Sequence, residues 1–480
     1  MKTKNLKIIL LLIVLIPYMG LSQIAYQPVS NKNVSFGSYG RVGVDWSFVN
    51  GGSIGRRLNL NNMGSIGGRL EEQDYLELAP VLHFKPFKEN DPTMINVQLR
   101  FAVYSRSLSL FGNSSTSSLG GLTLALPEIF AEARNINNSG VNVWIGSRLY
   151  RGPDVHIADY FYFNDHSGQG FGIELRNTRF CTIFVSSTDT SSNLPPYFYL
   201  NFQTGTPGLA LRQRVVFNLE HDIVFSEKQT LTLLGEFHRM GDADSPVEIS
   251  PYAGDSTVVL NYPSDFGYVF GVQHVSVLGE LGSGQYNRIA LRYGARIANG
   301  GDGGISKTSF TFGAPNLDEM NFKNAYSISL VDEVFLNLSE NNAFNGYLIF
   351  TKSKGGAETD GLAETYFGRE VYNSKKDFTI GFRDTHFFTD KFHVIGELHY
   401  SNRKDGTDEP YAMTKLSLAP TFVPAGQKSA WARPQLRFVA SLARYNNAAK
   451  ENLYSPYLGF TGPKQWGYYF GVKAEWWLWE

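Results

Sequence analysis

Residues 94–104 read M-I-N-V-Q-L-R-F-A-V-Y, and apolar and polar side chains alternate along them. The odd positions from 95 to 103 are all apolar, whereas Asn96, Gln98 and Arg100 hold polar groups at even positions. Because successive side chains of a β-strand point to opposite faces, this pattern predicts a strand with one oily face and one wet face. The pattern recurs along a chain that begins with an export signal. A transmembrane antiparallel β-barrel, with lipid outside and water inside, explains both features.

The first residues of the chain have the composition of a secretory signal. Lys2, Lys4 and Lys7 precede an apolar run at 8–16, and small or polar residues follow as far as Gln23. We predict a signal peptide over residues 1–23 that is removed on export. The apolar run is too short to span a bilayer, and no later segment approaches the roughly 18 to 20 apolar residues of a membrane helix. Residues 24–480 contain no linker, so we expect one barrel domain.

The overall composition restricts the function less than the pattern does. The 480 residues include 48 glycines, 35 phenylalanines and 26 tyrosines, which suit barrel turns and interfacial aromatic girdles. A secreted β-sandwich or lectin fits these numbers equally well. The net charge of −1 gives no reason to expect nucleic acid as a partner. The single cysteine, Cys181, excludes an intrachain disulfide, and we predict no cofactor and no metal site.

Alternating runs cover the whole chain, with no sustained helical period between them, and this predicts an all-β fold. The short connections at 226–228 and 389–391 are typical of periplasmic turns, and the long polar ones of extracellular loops. In the last run Lys473, Glu475 and Trp477 share a face, as expected of the strand that closes the barrel. Fifteen runs are recognised, at 38–46, 75–84, 95–104, 141–147, 211–219, 230–237, 268–277, 286–297, 327–336, 345–350, 378–383, 393–400, 415–419, 435–444 and 467–479.

One segment carries a family resemblance. Residues 144–163, W-I-G-S-R-L-Y-R-G-P-D-V-H-I-A-D-Y-F-Y-F, followed by S-G-Q-G-F-G at 167–172, resemble the third strand-and-loop region of maltoporin. Y-G-R at 39–41, W-A-R-P at 431–434 and W-W at 476–477 agree in the expected order. The resemblance implies an 18-stranded barrel around an aqueous lumen, usually a homotrimer, with the third loop folded inward. Sixteen strands also fit the chain length.

Maltoporin-like channels conduct oligosaccharides such as maltodextrins along a line of aromatic side chains. A pyranose ring has an apolar face that stacks on an aromatic ring, while its hydroxyl groups pair with polar residues. The resemblance places Phe111 on a loop that reaches a neighbouring subunit's pore, and Phe161 where the family has a tyrosine at the constriction. Transferred to this sequence, the aromatic line consists of Tyr39, Tyr75, Phe111, Phe161, Tyr286, Trp431 and Trp477.

Residues of the same odd or even number parity lie on the same face of a strand, and this face parity gives an independent test of four of these aromatic residues. Tyr39 has the parity of Arg41, Tyr75 that of Glu77, and Tyr286 that of three arginines, whereas apolar residues occupy the opposite face. Trp431 likewise has the parity of Arg433, Gln435 and Arg437. An aromatic residue of the interfacial belt is the alternative, but such a residue points to lipid. The parity therefore favours a place in the lumen.

The resemblance also implies a polar line opposite the aromatic one. The family's arginines are replaced at Gly152 and Ala131, where Arg151 and Arg134 lie close by. His156 supports the inward loop, and hydrogen bonds that pin this loop to the wall are the alternative role for its polar residues. The polar line comprises Arg41, Arg69, Glu77, Arg151, Asp154, Asp159 and Arg433.

Two other functions compete with sugar transport. A less selective ion or anion porin is favoured by Arg288, Arg292 and Arg296, unless carboxylates across the pore balance them. An enzyme is disfavoured because the sequence has no G-x-S-x-G signature, and we predict no catalytic residue. The expected partners are an oligosaccharide, outer-membrane lipid and two further copies of the chain. The expected location is the outer membrane of a Gram-negative bacterium.

Overall fold

A computed structural model describes residues 33–46, 58–86, 90–105, 122–184, 214–242, 247–249, 258–260, 263–300, 311–365 and 370–478. The predicted signal peptide at 1–23 and Phe111 lie outside these ranges. Within them, no helix is both long and apolar enough to cross a membrane. The helices are α1 (Asn447–Glu451), α2 (Pro456–Thr461) and short 3₁₀ turns at Ile136–Asn138 and His156–Ala158.

Eighteen antiparallel strands form one sheet, and each pairs with its neighbour along the chain. The first and last strands also pair, with Tyr39 opposite Trp477, so the sheet closes into a barrel. This confirms the predicted all-β barrel, its strand number and its closing strand. The strands are β1 Val34–Trp46, β2 Tyr75–Phe84, β3 Met94–Ser105, β4 Leu122–Arg134, β5 Val141–Arg148, β6 Gly168–Leu175, β7 Thr178–Phe184, β8 Arg214–Ser226, β9 Gln229–Met240, β10 Asp265–Val277, β11 Tyr286–Arg296, β12 Tyr326–Ser339, β13 Asn342–Lys354, β14 Ser374–Phe387, β15 Phe392–Asp405, β16 Tyr411–Phe422, β17 Gln435–Tyr445 and β18 Trp466–Leu478.

The barrel reverses the usual relation between polarity and burial. On β3, Asn96, Gln98 and Arg100 are buried inside, whereas Phe101 on the opposite face is 46% exposed. The same holds around the wall, where large apolar side chains such as Phe270 point outward. An outward apolar band is what a barrel needs to face lipid. The alternation first seen at 94–104 thus defines the two surfaces of the wall.

Three barrel strands, β4, β6 and β7, are not among the fifteen alternating runs recognised in the sequence. In β4 the register against β3 shifts between Arg100 and Ala102. Such a bulge changes the face parity, so that Leu124 and Leu126 before it and Ile129 after it all point outward. In β6 the alternate residues are glycines, and in β7 the inward Cys181 and Ile183 are apolar because they pack in a buried cluster. A polar–apolar alternation is therefore absent from all three.

Two connecting segments fold into the lumen, and we name them the first-loop segment (residues 58–74) and the third loop (residues 149–167). Apolar residues of the first-loop segment, among them Leu58 and Leu70, are buried against inward wall residues such as Met413. The third loop spans from Glu220 and Glu236 on one wall to Trp477 on the other. The inward third loop is thus confirmed. The aqueous lumen is narrower than the sequence suggested, because apolar side chains of both segments occupy part of it.

Gly146 is required where β5 meets β4. It has φ 133°, and a Cβ there would lie 2.3 Å from the carbonyl oxygen of Ile129. We expect Gly146→Ala to separate the two strands and to lower the free energy of unfolding by more than about 1 kcal/mol. The folded, heat-modifiable fraction on a gel after a urea titration measures this. Gly235→Ala is the matched control, since a methyl group there meets nothing within 4 Å; equal losses in both variants would contradict the prediction.

Candidate functional site

A continuous line of rings begins on three neighbouring strands. Tyr104 of β3 stacks on Tyr75 of β2, with ring centroids 6.1 Å apart. Tyr75 in turn lies 5.8 Å from Tyr39 of β1, and Tyr39 lies 6.4 Å from Trp477 of β18. The strand register explains these contacts, because Tyr39 is paired directly with Trp477 and Arg41 with Tyr75. Inward residues of adjacent strands thereby form half of the line.

The third loop connects this half to a second group of rings. The imidazole of His156 lies 5.6 Å from Trp477 and 5.1 Å from Trp431. Trp431 then contacts Phe335 at 5.3 Å, and Phe335 stacks on Tyr286 at 6.0 Å. We name the eight rings the aromatic line. It consists of Tyr104, Tyr75, Tyr39, Trp477, His156, Trp431, Phe335 and Tyr286.

Five of the seven predicted aromatic residues are members of this line. Phe161 is held by another contact, with the guanidinium of Arg151 3.8 Å from its ring centroid. Phe111 lies outside the described residues. Trp431 reaches the lumen from the turn before β17, which begins at Gln435, so the assumption that it lies in a strand is wrong.

Sequence reasoning missed Tyr104 and Phe335 and assigned His156 only a supporting role. Tyr104 has the parity of Arg100 on β3, and Phe335 has the parity of Glu333 on β12, so the parity test could have found both. His156 lies in a loop without a period, and nothing in the sequence indicates that its ring lies between two tryptophans.

The Tyr39 hydroxyl links two groups of charges beside the aromatic line. It accepts hydrogen bonds from Arg41 Nη1 at 3.1 Å and from Arg69 Nη2 at 3.0 Å. It donates to Glu475 Oε1 at 3.1 Å. Glu72 lies 2.9 Å from Arg41 Nη1 and 3.2 Å from Arg69 Nε, so two guanidiniums share this carboxylate. The polar line therefore runs directly beside the aromatic one.

A second carboxylate is shared in the same way on the other side of Tyr39. Glu475 Oε2 lies 2.8 Å from Arg433 Nε and also accepts a hydrogen bond from Arg437. The guanidinium of Arg433 stands over the ring of Trp477, 4.3 Å from its centroid. Neither Glu72 nor Glu475 was included in the predicted polar line. The sequence places Glu475 on the same strand face as Lys473 and Trp477, so its parity could have added it to that line.

The remaining predicted polar residues have separate partners. Glu77 pairs with Arg100 at 2.6 Å and accepts a hydrogen bond from Tyr75. Asp159 lies 3.6 Å from Arg69, at the edge of the same charge group. Arg134, the suggested replacement at Ala131, pairs instead with Glu132 at 2.8 Å.

The arginines of β11 are each balanced by a carboxylate. Arg288 lies 3.5 Å from Glu333, and Arg292 lies 3.0 Å from Glu236. Arg296 pairs with Asp265 at 2.7 Å. These three arginines would favour anions if no carboxylates opposed them. Each has a carboxylate partner, so this condition is not met along β11.

The charges around the site shift the pKa values of two side chains of the third loop. Burial lowers the pKa of His156 well below its ordinary value, and the guanidiniums of Arg69 and Arg433 act in the same direction. His156 is thus a neutral ring at physiological pH. Although burial acts to raise the pKa of Asp159, the cations Arg69 and Arg41 hold it below the usual range.

Asp154, on the same loop, behaves in the opposite way. Burial, with the nearby carboxylates of Asp159 and Glu333, raises its pKa to about 7. Between the ordinary aspartate pKa of about 4 and this value, the folded chain holds a proton that the unfolded chain releases. Folding stability therefore falls as the pH rises through that window and is constant above it.

We expect Asp154→Asn to remove this loss of stability. The wild type should melt at a lower temperature at about pH 8 than at about pH 5, and the difference should be smaller in the variant. Melting followed by circular dichroism in detergent measures it. A variant with the full wild-type difference would show that Asp154 does not titrate in this window.

The end of the third loop is fixed by a buried cluster of ionic groups. His166 lies 3.3 Å from both Glu220 and Glu236, on adjacent strands. Asn164 donates to Glu220 at 3.0 Å, and His238 lies 2.9 Å from Glu236. This cluster positions the loop that carries His156. Within the described ranges, no cluster of His, Cys, Asp and Glu is suited to a metal ion.

Solved outer-membrane structures are similar to this chain at low sequence identity. OprD of Pseudomonas aeruginosa is 10% identical, with 93% of this chain and 95% of that one covered and a TM-score of 0.41. For Wzi of Escherichia coli, a carbohydrate-binding β-barrel involved in group 1 capsule assembly, the identity is 9%, the coverage 92% and 84%, and the TM-score 0.42. The trimer form of Vibrio cholerae OmpT is 11% identical, with 93% and 99% covered and a TM-score of 0.33.

The comparison with family models is more specific. The model of the LamB porin family matches residues 34–478, from the first residue of β1 to the last of β18. Family and fold are those of a transport channel rather than an enzyme. The chain belongs to the LamB porin family and is therefore a porin of the Gram-negative outer membrane.

Proposed function

We propose that this porin allows facilitated diffusion of carbohydrates, oligosaccharides such as maltodextrins among them. The aromatic line is the observation that carries the proposal. Its rings follow one another at 5.1 to 6.4 Å, so that a sugar leaving one ring is already within reach of the next. No cofactor and no energy source is needed for such diffusion.

The charges beside the line suit the rest of a sugar. Arg41, Arg433 and Glu475 provide donors and acceptors for hydroxyl groups while the rings bind the apolar face of the pyranose. Many weak contacts of similar strength allow a chain of sugars to move without being held at one place. The polar line therefore orients the sugar, and the aromatic line provides the path along which the sugar moves.

Single-channel recording in a planar bilayer tests this function. We expect millimolar maltohexaose to interrupt the ion current in brief events whose number rises with sugar concentration. A current that no oligosaccharide interrupts would overturn the proposal and would favour the alternative, a less selective ion or anion porin. The balanced arginines of β11 give that alternative little support.

We further propose that residues 1–23 are removed on export and that the mature chain, residues 24–480, assembles as a homotrimer. The family resemblance supports the trimer, and the outward apolar side chains support a lipid and subunit contact surface. A high-mass band that dissociates on heating, on a gel of unheated protein, is the expected result. Mass spectrometry of the mature N-terminus tests the cleavage site.

A further inference from the structure

One cavity lies against the middle of the aromatic line, and its charged lining is mostly cationic. Arg41, Arg69, Arg383, Arg437 and Lys473 line it, together with His156. Among the described residues, two carboxylates, Glu72 and Glu475, share the lining. The charged side chains of this lining are thus five cations and two anions.

Each of the two carboxylates is shared by two guanidiniums. Glu72 is shared by Arg41 and Arg69, and Glu475 by Arg433 and Arg437. Asp159, 3.6 Å from Arg69, supplies a second negative charge to the first pair of guanidiniums, so that pair is balanced. Arg433 and Arg437 share one carboxylate, so one positive charge is left at this second pair.

Other partners of these cations stand outside the lining. Arg383 pairs with Glu397, and Lys473 lies 3.6 Å from Asp74, so carboxylates outside the lining balance these two cations. Burial lowers the pKa of Arg433 to about 10, and the guanidiniums of Arg437 and Arg383 act in the same direction. The excess positive charge therefore lies at Arg433 and Arg437, beside the ring of Trp477.

We propose that the preferred solutes of this channel are acidic sugars, with a carboxylate or sulfate on a pyranose ring that stacks on the aromatic line. This inference rests on the proposed carbohydrate function and names its substrate class. A ring over Trp477 would direct its acidic group towards Arg433 and Arg437, the two guanidiniums that share Glu475, and a guanidinium binds an oxyanion in bidentate geometry. A neutral sugar stacks on the same rings but brings no negative charge to match the excess positive charge of the guanidiniums.

The test compares a charged and a neutral probe with the same sugar backbone. Hexagalacturonate and its fully methyl-esterified form are added to single channels of the wild-type porin in a planar bilayer. We expect the acid to block the current at a concentration at least 10-fold lower than the ester in about 0.1 M salt. In about 1 M salt the Debye length falls to roughly 3 Å, so the difference should shrink.

Variants test which side chains cause the preference for the acidic probe. Arg437→Gln removes one of the two guanidiniums that share Glu475 and leaves Arg433 paired with that carboxylate. We expect it to reduce the advantage of the acid over the ester severalfold. Lys376→Gln, on the outward face of β14, is the matched control and should leave both probes unaffected.

The outcomes separate this inference from the proposed function. Equal block by acid and ester, or block by the ester and maltohexaose alone, overturns the preference for acidic sugars and leaves the carbohydrate channel in place. An acid advantage that Arg437→Gln retains in full overturns the assignment to Arg433 and Arg437. Absence of block by every sugar overturns the carbohydrate function itself.

Discussion

Replacing Trp431 with alanine is expected to weaken sugar block by about 2- to 10-fold while ion conductance stays nearly unchanged. Trp431 lies between Phe335 and His156, the ring that connects the two halves of the aromatic line. A well-placed aromatic contact contributes about 0.5 to 1.5 kcal/mol, and 1.4 kcal/mol corresponds to a factor of 10 in binding. The loss should appear as shorter blocking events at the same sugar concentration.

Trp46→Ala is the matched control for this experiment. Trp46 contacts Phe438 on the outer surface, with ring centroids 5.7 Å apart, and so belongs to the lipid-facing set. Its removal deletes a tryptophan of equal size and should not change the duration of sugar block. If both variants shorten the events equally, the path does not run over Trp431.

The sequence predicts the wall of this porin far better than its interior. Alternation along a strand records which side faces lipid, and it assigned Tyr39 and Tyr75 correctly to the lumen. The rule holds because an extended chain has a period of two and because the two solvents differ. It fails at the bulge in β4, where the register shift changes the parity of Leu126 and Ile129.

The interior depends on segments that have no period. Glu72 and the apolar residues of the first-loop segment follow no strand pattern, yet they fill the lumen and pair with Arg41. His156 has its place because the third loop crosses the barrel, a tertiary feature that the family resemblance could imply but periodicity could not. Trp431 reached the lumen from a turn, although the parity argument treated it as part of a strand. For such residues, position in the sequence gives no information on which wall they will contact.

Glu236→Gln is expected to release the third loop. The side chain of Glu236 is 0% exposed, lies 3.0 Å from Arg292 and contacts both His166 and His238. Removal of one partner from a buried ionic cluster leaves the other charges without compensation, at a cost of about 3 to 5 kcal/mol. We expect a lower urea midpoint for the heat-modifiable band. The current should also become noisier, because His166 no longer holds the loop that narrows the pore.

Two comparisons show whether the effect belongs to the buried cluster. Glu227→Gln removes a carboxylate from the exposed turn between β8 and β9, so it should change neither the urea midpoint nor the noise. The double variant Glu236→Gln/Arg292→Gln removes a compensating cation as well, and we expect it to recover part of the lost stability, since the two sites are in contact. A double variant less stable than the sum of the single changes would mean that Arg292 is held by partners other than Glu236. A third loop fixed in this way keeps His156 between its two tryptophans, so loss of the cluster should weaken sugar block even though no residue of the aromatic line is changed.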